Sequence, residues 1–96
     1  MTDFNADIAR GNRENPRWSQ RMKPYFIHAE WDHEAQVWVA TSDDVPGLAT
    51  EADTQEQLIA KLKTLIPELL DANGIETGAE VPFELLTRRF EVAHAA

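Results

Sequence analysis

Residues 25–41, YFIHAEWDHEAQVWVAT, decide the fold of this chain. Aromatic and β-branched side chains are dense in residues 25–31, and every second residue from Tyr25 to Trp31 is apolar, which predicts a first strand with one face towards a core. The polar interruption at residues 32–35 is short enough for a hairpin, and residues 36–41 predict a second strand. The two strands are therefore expected to be antiparallel neighbours.

The next segment, residues 42–47, has the composition of a tight turn. Its Ser and Asp side chains can bond nearby backbone N–H groups, Pro46 fixes φ, and Gly47 tolerates positive φ. Residues 48–52 then predict a short third strand. Three strands joined by short loops form a meander.

One amphipathic helix is predicted between Thr54 and the stop signal Asn73-Gly74. Thr54 and Gln57 fit a capping box. Pro67 lies inside this segment, so the helix either kinks or breaks there, and the unbroken apolar stripe favours a kink. The stripe, which must cover the sheet, consists of Leu58, Ile59, Leu62, Leu65, Ile66, Leu69 and Leu70.

A last strand is predicted from Val81 to about Val92, apolar on both faces or shifted in phase by a bulge. Pro82 favours the start of a strand or an edge position. The predicted fold class is α+β, with the order β-β-β-α-β: a small, mainly antiparallel sheet with one amphipathic helix packed on one face. The predicted domain spans residues 24–92, between a flexible basic arm at 1–23 and a frayed tail at 93–96.

Composition sets the class of protein and its partners. Ninety-six residues make one domain, and the chain has no cysteine, no apolar run of membrane-spanning length and no apolar leader, so we expect a cytoplasmic protein. The net charge is −8: residues 1–23 carry +2 and residues 24–96 carry −10. Such a body repels nucleic acid and attracts a basic partner. The alternative is that the acids serve solubility alone.

Side chains that could support catalysis are few. Glu30, Asp32, Asp43 and Asp44 are the acids near strand ends that a metal-dependent nuclease could use, but two-metal sites need carboxylates in one cavity, and Asp is expected in turns. His28 and His33 with Asp32 could hold a metal, although their spacing matches no known motif. No catalytic triad, phosphate loop or zinc signature is present. We therefore predict a non-enzyme without cofactor or metal.

The tryptophans allow two interpretations. Phe26, His28, Glu30 and Trp38 could share the sheet face away from the helix, where exposed aromatic side chains would mark an association surface. Alternatively, Trp31 and Trp38 complete a small core. If the open face is apolar, a symmetric homodimer that buries it is expected.

A longer pattern carries a family resemblance. Residues 31–48, WDHEAQVWVATSDDVPGL, together with EADT at 51–54, IPELL at 66–70 and Asn73-Gly74, resemble the bacterial family called domain of unknown function 1902, which is similar to HicB-like antitoxin domains. The resemblance covers about residues 24–92. It implies a partial ribonuclease-H-like fold without the nuclease site. HicB antitoxins bind and block a small basic toxin that cleaves messenger RNA.

These observations give one leading functional hypothesis and two alternatives. The leading one is a non-catalytic, HicB-like protein-interaction domain, in its sharper form neutralising a small basic toxin ribonuclease. The alternatives are a stand-alone dimeric module of unknown ligand and a metal-dependent nuclease. The residues predicted to bind a partner are Glu30, Trp31, Trp38, Asp43 and Asp44.

Overall fold

The computed structural model describes residues 23–96 and confirms the order β-β-β-α-β. The predicted basic arm lies outside this range except for Lys23. The elements are β1 (Tyr25–Asp32), β2 (Val37–Thr41), β3 (Ala49–Ala52), α1 (Gln55–Ala72) and β4 (Phe83–Arg88). Within the described residues, no helix is long and apolar enough to cross a bilayer.

The four strands form one mixed sheet in the order β3-β2-β1-β4. The first three make the predicted antiparallel meander, with Trp31 opposite Trp38. Strand β4 returns after the helix and pairs parallel to β1, with Tyr25 opposite Phe83. It thus occupies an edge, and Pro82 precedes its first residue, as the sequence predicted.

The helix packs on one face of the sheet and supplies four of the six largest fully buried side chains. Its Thr54 cap accepts a hydrogen bond from the Gln57 backbone N–H (3.1 Å). The helix continues through Pro67, so the alternative of a break is wrong. Pro67 is exposed, where water can satisfy the carbonyl that proline leaves without a donor. The fully buried stripe residues are Leu58, Leu62, Ile66 and Leu70.

The sheet contributes side chains from alternate positions to the same core. Ile27 and Ala29 of β1 and Ala40 of β2 are fully buried beneath the helix. Val45, in the turn after β2, is also fully buried and anchors that turn. The opposite face of the sheet, which we call the open face, is not covered by any described element.

The last strand is shorter than predicted. It ends at Arg88 instead of about Val92, and Phe90 and Val92 are 71% and 64% exposed. Within the strand, Phe83, Leu85 and Thr87 are partly buried in regular alternation with exposed residues. Phe90 and Val92, which made the predicted strand look apolar on both faces, lie beyond the end of the strand. No bulge is therefore needed to explain the sequence pattern.

Candidate protein-interaction surfaces

Glu30 is the predicted partner-binding residue that lies on the open face. It comes near the end of β1, and its carboxylate is 3.7 Å from His28 Nε2 and 3.9 Å from Arg88 Nη1. All three side chains are substantially exposed. The Glu30 carboxylate thus lies between His28 of the same strand and Arg88 of β4.

The two predicted tryptophans lie on the helix side of the sheet. Trp38 is 7% exposed and belongs to the core, whereas Trp31 is partly buried against it. Their rings meet edge to face, with centroids 5.3 Å apart. The prediction that Trp38 shares the open face is therefore wrong, and the core interpretation of the pair is correct. Trp38 offers a partner little surface.

The two aspartates of the turn have different environments. Asp44 Oδ2 accepts a hydrogen bond from the Phe26 backbone N–H (2.8 Å), and Ser42 Oγ donates one to the Phe26 carbonyl (2.6 Å). These side chains complete the antiparallel ladder at the point where β2 bends away from β1. Ser42 Oγ also accepts from the N–H groups of Asp44 and Val45, which fixes the turn. Asp43 is exposed, and its carboxylate makes no hydrogen bond or ion pair within the described residues.

The acids required by a nuclease are separated by the fold. Asp44 contacts Phe26, and Glu30 lies four residues further along β1, which corresponds to about 13 Å of extended strand. Asp32 stabilises the hairpin, because its Oδ1 accepts hydrogen bonds from the backbone N–H groups of Glu34 and Ala35. Among residues 23–96, no three His, Asp or Glu side chains come together as a metal-binding group.

A shallow groove extends from the open face beside Glu30 to the end of β1 and the hairpin after it. It encloses about 570 Å³ and is lined mainly by polar and charged side chains: His28, Glu30, Trp31, Asp32, His33, Val39 and Thr41. Large apolar side chains are also exposed on this face, with Phe26 42% and Leu86 55% accessible. The open face therefore carries both polar and apolar side chains.

The segment after β4 forms a contact that sequence reasoning missed. The Arg89 guanidinium lies 4.3 Å from the centroid of Trp31, and His33 Nε2 donates to the Phe90 carbonyl (2.8 Å). Arg89 also bonds Glu91, and this hydrogen bond lowers the pKa of the Glu91 carboxyl. Residues 89–91 are thus tied across the end of β1. The sequence pattern of residues 89–91 alone does not predict their contact with residues near the end of β1.

Five acidic residues lie at the opposite end of the sheet, where β1 begins. The 42–47 turn reaches the end of α1 through Asn73 Nδ2, which donates to the Pro46 carbonyl (3.4 Å). The start of β4 lies beside them, because Tyr25 N–H donates to the Pro82 carbonyl (3.0 Å). The last turn of α1 holds no basic residue. We call this region the acidic end; its acids are Asp43, Asp44, Asp71, Glu76 and Glu80, and Lys23 precedes β1 there.

Comparison with known proteins gives a family match and a structural match. The family model described as domain of unknown function (DUF1902) matches residues 24–94. The crystal structure of a hypothetical protein from the extremely thermophilic bacterium Thermus thermophilus is similar, with 49% identity and a TM-score of 0.58. The alignment covers 76% of this chain and 100% of that one. No curated protein matches at a significant level.

Proposed function

We propose that this chain, which belongs to the DUF1902 family of domains of unknown function, is a non-catalytic protein-interaction module that binds a basic protein. The observation that carries the proposal is the charge of the folded body. Residues 24–96 hold fourteen acidic and four basic side chains, a net charge of −10. A surface of this sign steers a basic partner during approach and disfavours acidic ones.

The position of the acids favours the acidic end as the contact region. A helix C-terminus carries a partial negative charge, and basic residues in the last turn normally compensate it. Here the last turn has Asp71 and no basic residue, which is unfavourable for the helix itself. The exposed Asp43 and Glu76 add to the same field. A cationic partner would offset this repulsion, whereas solubility could be served by acids placed anywhere on the surface.

The sharper form of the proposal is that the partner is a small basic toxin ribonuclease, which the domain occludes. It rests on the resemblance of residues 31–48 and 66–70 to HicB-like antitoxin domains, together with the negative body. In this form the domain acts by covering the RNA-binding surface of the toxin. Its own carboxylates need no catalytic geometry for that role.

The test is co-purification of the tagged full chain from its native host, with mass spectrometry of the proteins released between low and high salt. Two double variants with equal charge change are compared with the wild type: Asp43→Lys with Glu76→Lys at the acidic end, and Glu34→Lys with Glu56→Lys at the other end. Asp44 is left intact because it bonds Phe26. A small basic protein should elute in stoichiometric amount and be lost in the first variant alone.

Two outcomes would contradict the proposal. If no basic protein is recovered with the wild-type chain, the proposal is refuted. If both variants lose the basic protein equally, binding depends on overall charge and not on a contact region at the acidic end. If a basic protein is recovered, its cleavage of RNA should stop at one equivalent of the wild-type chain. Undiminished RNA cleavage at that ratio would refute the toxin-neutralising form and leave the binding module.

A further inference from the structure

The sheet has two edge strands, which differ in how well they are protected against pairing with another strand. Edge β3 is four residues long, and Lys61 of the helix donates from Nζ to the Glu51 carbonyl (2.5 Å). A lysine on a backbone carbonyl of a short edge strand hinders pairing with another strand. Edge β4 is six residues long, and among residues 23–96 no strand pairs with its outer side.

The direction of the free backbone groups on β4 follows from its register with β1. Tyr25 lies opposite Phe83, and its N–H donates to the carbonyl of Pro82. The N–H and C=O of one strand residue point to the same side, so even-numbered residues of β4 face β1. Phe83, Leu85 and Thr87 therefore direct their N–H and C=O groups to the free edge.

We infer that β4 pairs antiparallel with β4 of a second copy of this chain, about a two-fold axis at Leu86. This register sets Leu85 opposite Thr87 of the second copy, so their outward N–H and C=O groups bond each other. Leu86 then lies opposite Leu86 of the second copy. Pairing joins the two four-stranded sheets into one continuous sheet, with both helices on the same side.

Charge complementarity selects this register. Glu84 lies opposite Arg88 of the second copy, and the two-fold axis repeats the pair. Both residues are exposed on the open face, and positions without backbone bonds bring opposite side chains closest together. A register shifted by two residues places Glu84 opposite Leu86 and loses both pairs. Arg88 lies 3.9 Å from Glu30, so it is already held over the open face.

Side chains beyond the strands would enlarge the contact. The antiparallel arrangement directs the end of β4 in one copy, after which the exposed Phe90 and Val92 follow, towards the start of β4 in the second copy. A groove of about 250 Å³ lies there, lined by Glu80, Val81, Pro82 and Phe83. Six paired residues bury less than a standard interface of about 1,600 Å², so we expect a dimer that dissociates on dilution.

This inference goes beyond the proposed binding of a basic protein, because it uses the edge of the sheet and not the acidic end. It also differs from the dimer expected from sequence, which buried the open face. That face carries Glu30, Arg88 and His28 beside Phe26, so covering it completely would desolvate charges without guaranteed partners.

The first test is sedimentation velocity of the full-length chain over a range of concentrations. Glu84→Arg places like charges opposite each other twice and should weaken dimerisation by about tenfold or more. Arg88→Glu should do the same, and the double variant should restore the dimer because the pairs are exchanged. Glu68→Arg, on the exposed side of the helix, is the matched control and should leave it unchanged.

The second test uses the absence of cysteine from the chain. Leu86→Cys should form a disulfide between two copies under mild oxidation, because opposite Cα atoms at such a position are about 4.5 Å apart. Glu84→Cys alone should not cross-link, whereas Glu84→Cys with Arg88→Cys should. A monomer at all concentrations, or a dimer insensitive to Glu84→Arg that fails to cross-link at position 86, would overturn the inference.

Discussion

Replacing Asp44 by alanine should destabilise the domain much more than replacing its neighbour Asp43. Asp44 Oδ2 accepts from the Phe26 N–H at 2.8 Å, across eighteen residues of chain. Asp43 is equally a turn aspartate, but its carboxylate makes no hydrogen bond within the described residues. The two variants have the same change in charge and composition. The difference between them therefore isolates the bond to β1.

The magnitude follows from the type of bond and its exposure. A hydrogen bond to a charged group contributes about 1.5–3 kcal/mol, and water can replace part of it because Phe26 is 42% exposed. We expect Asp44→Ala to lower the free energy of unfolding by about 1–2 kcal/mol and Asp43→Ala by less than about 0.5 kcal/mol. For a domain of this size, the first change corresponds to a fall in Tm of roughly 5–10 °C.

The assay is urea unfolding of both variants and the wild type, followed by tryptophan fluorescence and by circular dichroism. Asp44→Asn keeps an acceptor oxygen without the charge, so its stability should lie between the wild type and Asp44→Ala. If Asp44→Ala and Asp43→Ala unfold at the same urea concentration, the ladder-completing role of Asp44 is refuted. The turn would then be held by Ser42 and the buried Val45.

Other expected outcomes concern the turn, the core and the C-terminal segment. Gly47 has φ of +82°, so Gly47→Ala should cost about 1–2 kcal/mol in thermal unfolding, whereas Gly78→Ala should be nearly neutral; equal effects would contradict a backbone origin. Ile66→Ala should cost about 2–5 kcal/mol in urea unfolding because the side chain is fully buried, and a smaller loss would show that the core collapses around the cavity. Arg89→Ala should cost about 0.5–1 kcal/mol and alter tryptophan fluorescence, and an unchanged spectrum would argue against its stacking. The hydrogen bond from Arg89 lowers the pKa of Glu91, so the stabilising contribution of this pair is present above the ordinary glutamate pKa and is lost as the pH falls through the lowered pKa. In a pH titration of stability, Glu91→Gln should remove this part of the loss at acidic pH. A pH profile identical to that of the wild type would contradict the role of the pair.

Local patterns in the sequence predicted the elements well because their causes are local. Thr54 caps the helix as its spacing from Gln57 indicated, and Gly47 adopts the positive φ expected in the turn. The alternation of residues 25–31 correctly placed Tyr25 and Trp31 on the core side. Each of these features depends on residues within one turn or one strand.

The candidate site was less predictable, and Trp38 shows why. Residues 37–40 are apolar on both faces of β2, so alternation alone could not decide which face meets the helix. The register that sets Trp38 opposite Trp31 decides it, because the side chains of an opposite pair share a face. Glu30 was correctly expected on the open face, since its own strand has a polar side and an apolar side.

The sequence by itself determined the order of elements, the helix cap, the turn and the sign of the surface charge, because each depends on residue types close together in the chain. The tertiary structure alone decided that β4 lies parallel to β1, that Asp44 completes the ladder at Phe26, and that Arg89 stacks on Trp31. These contacts join residues from 18 to 58 positions apart, whose proximity depends on strand order and register. No pattern within a single segment encodes that proximity.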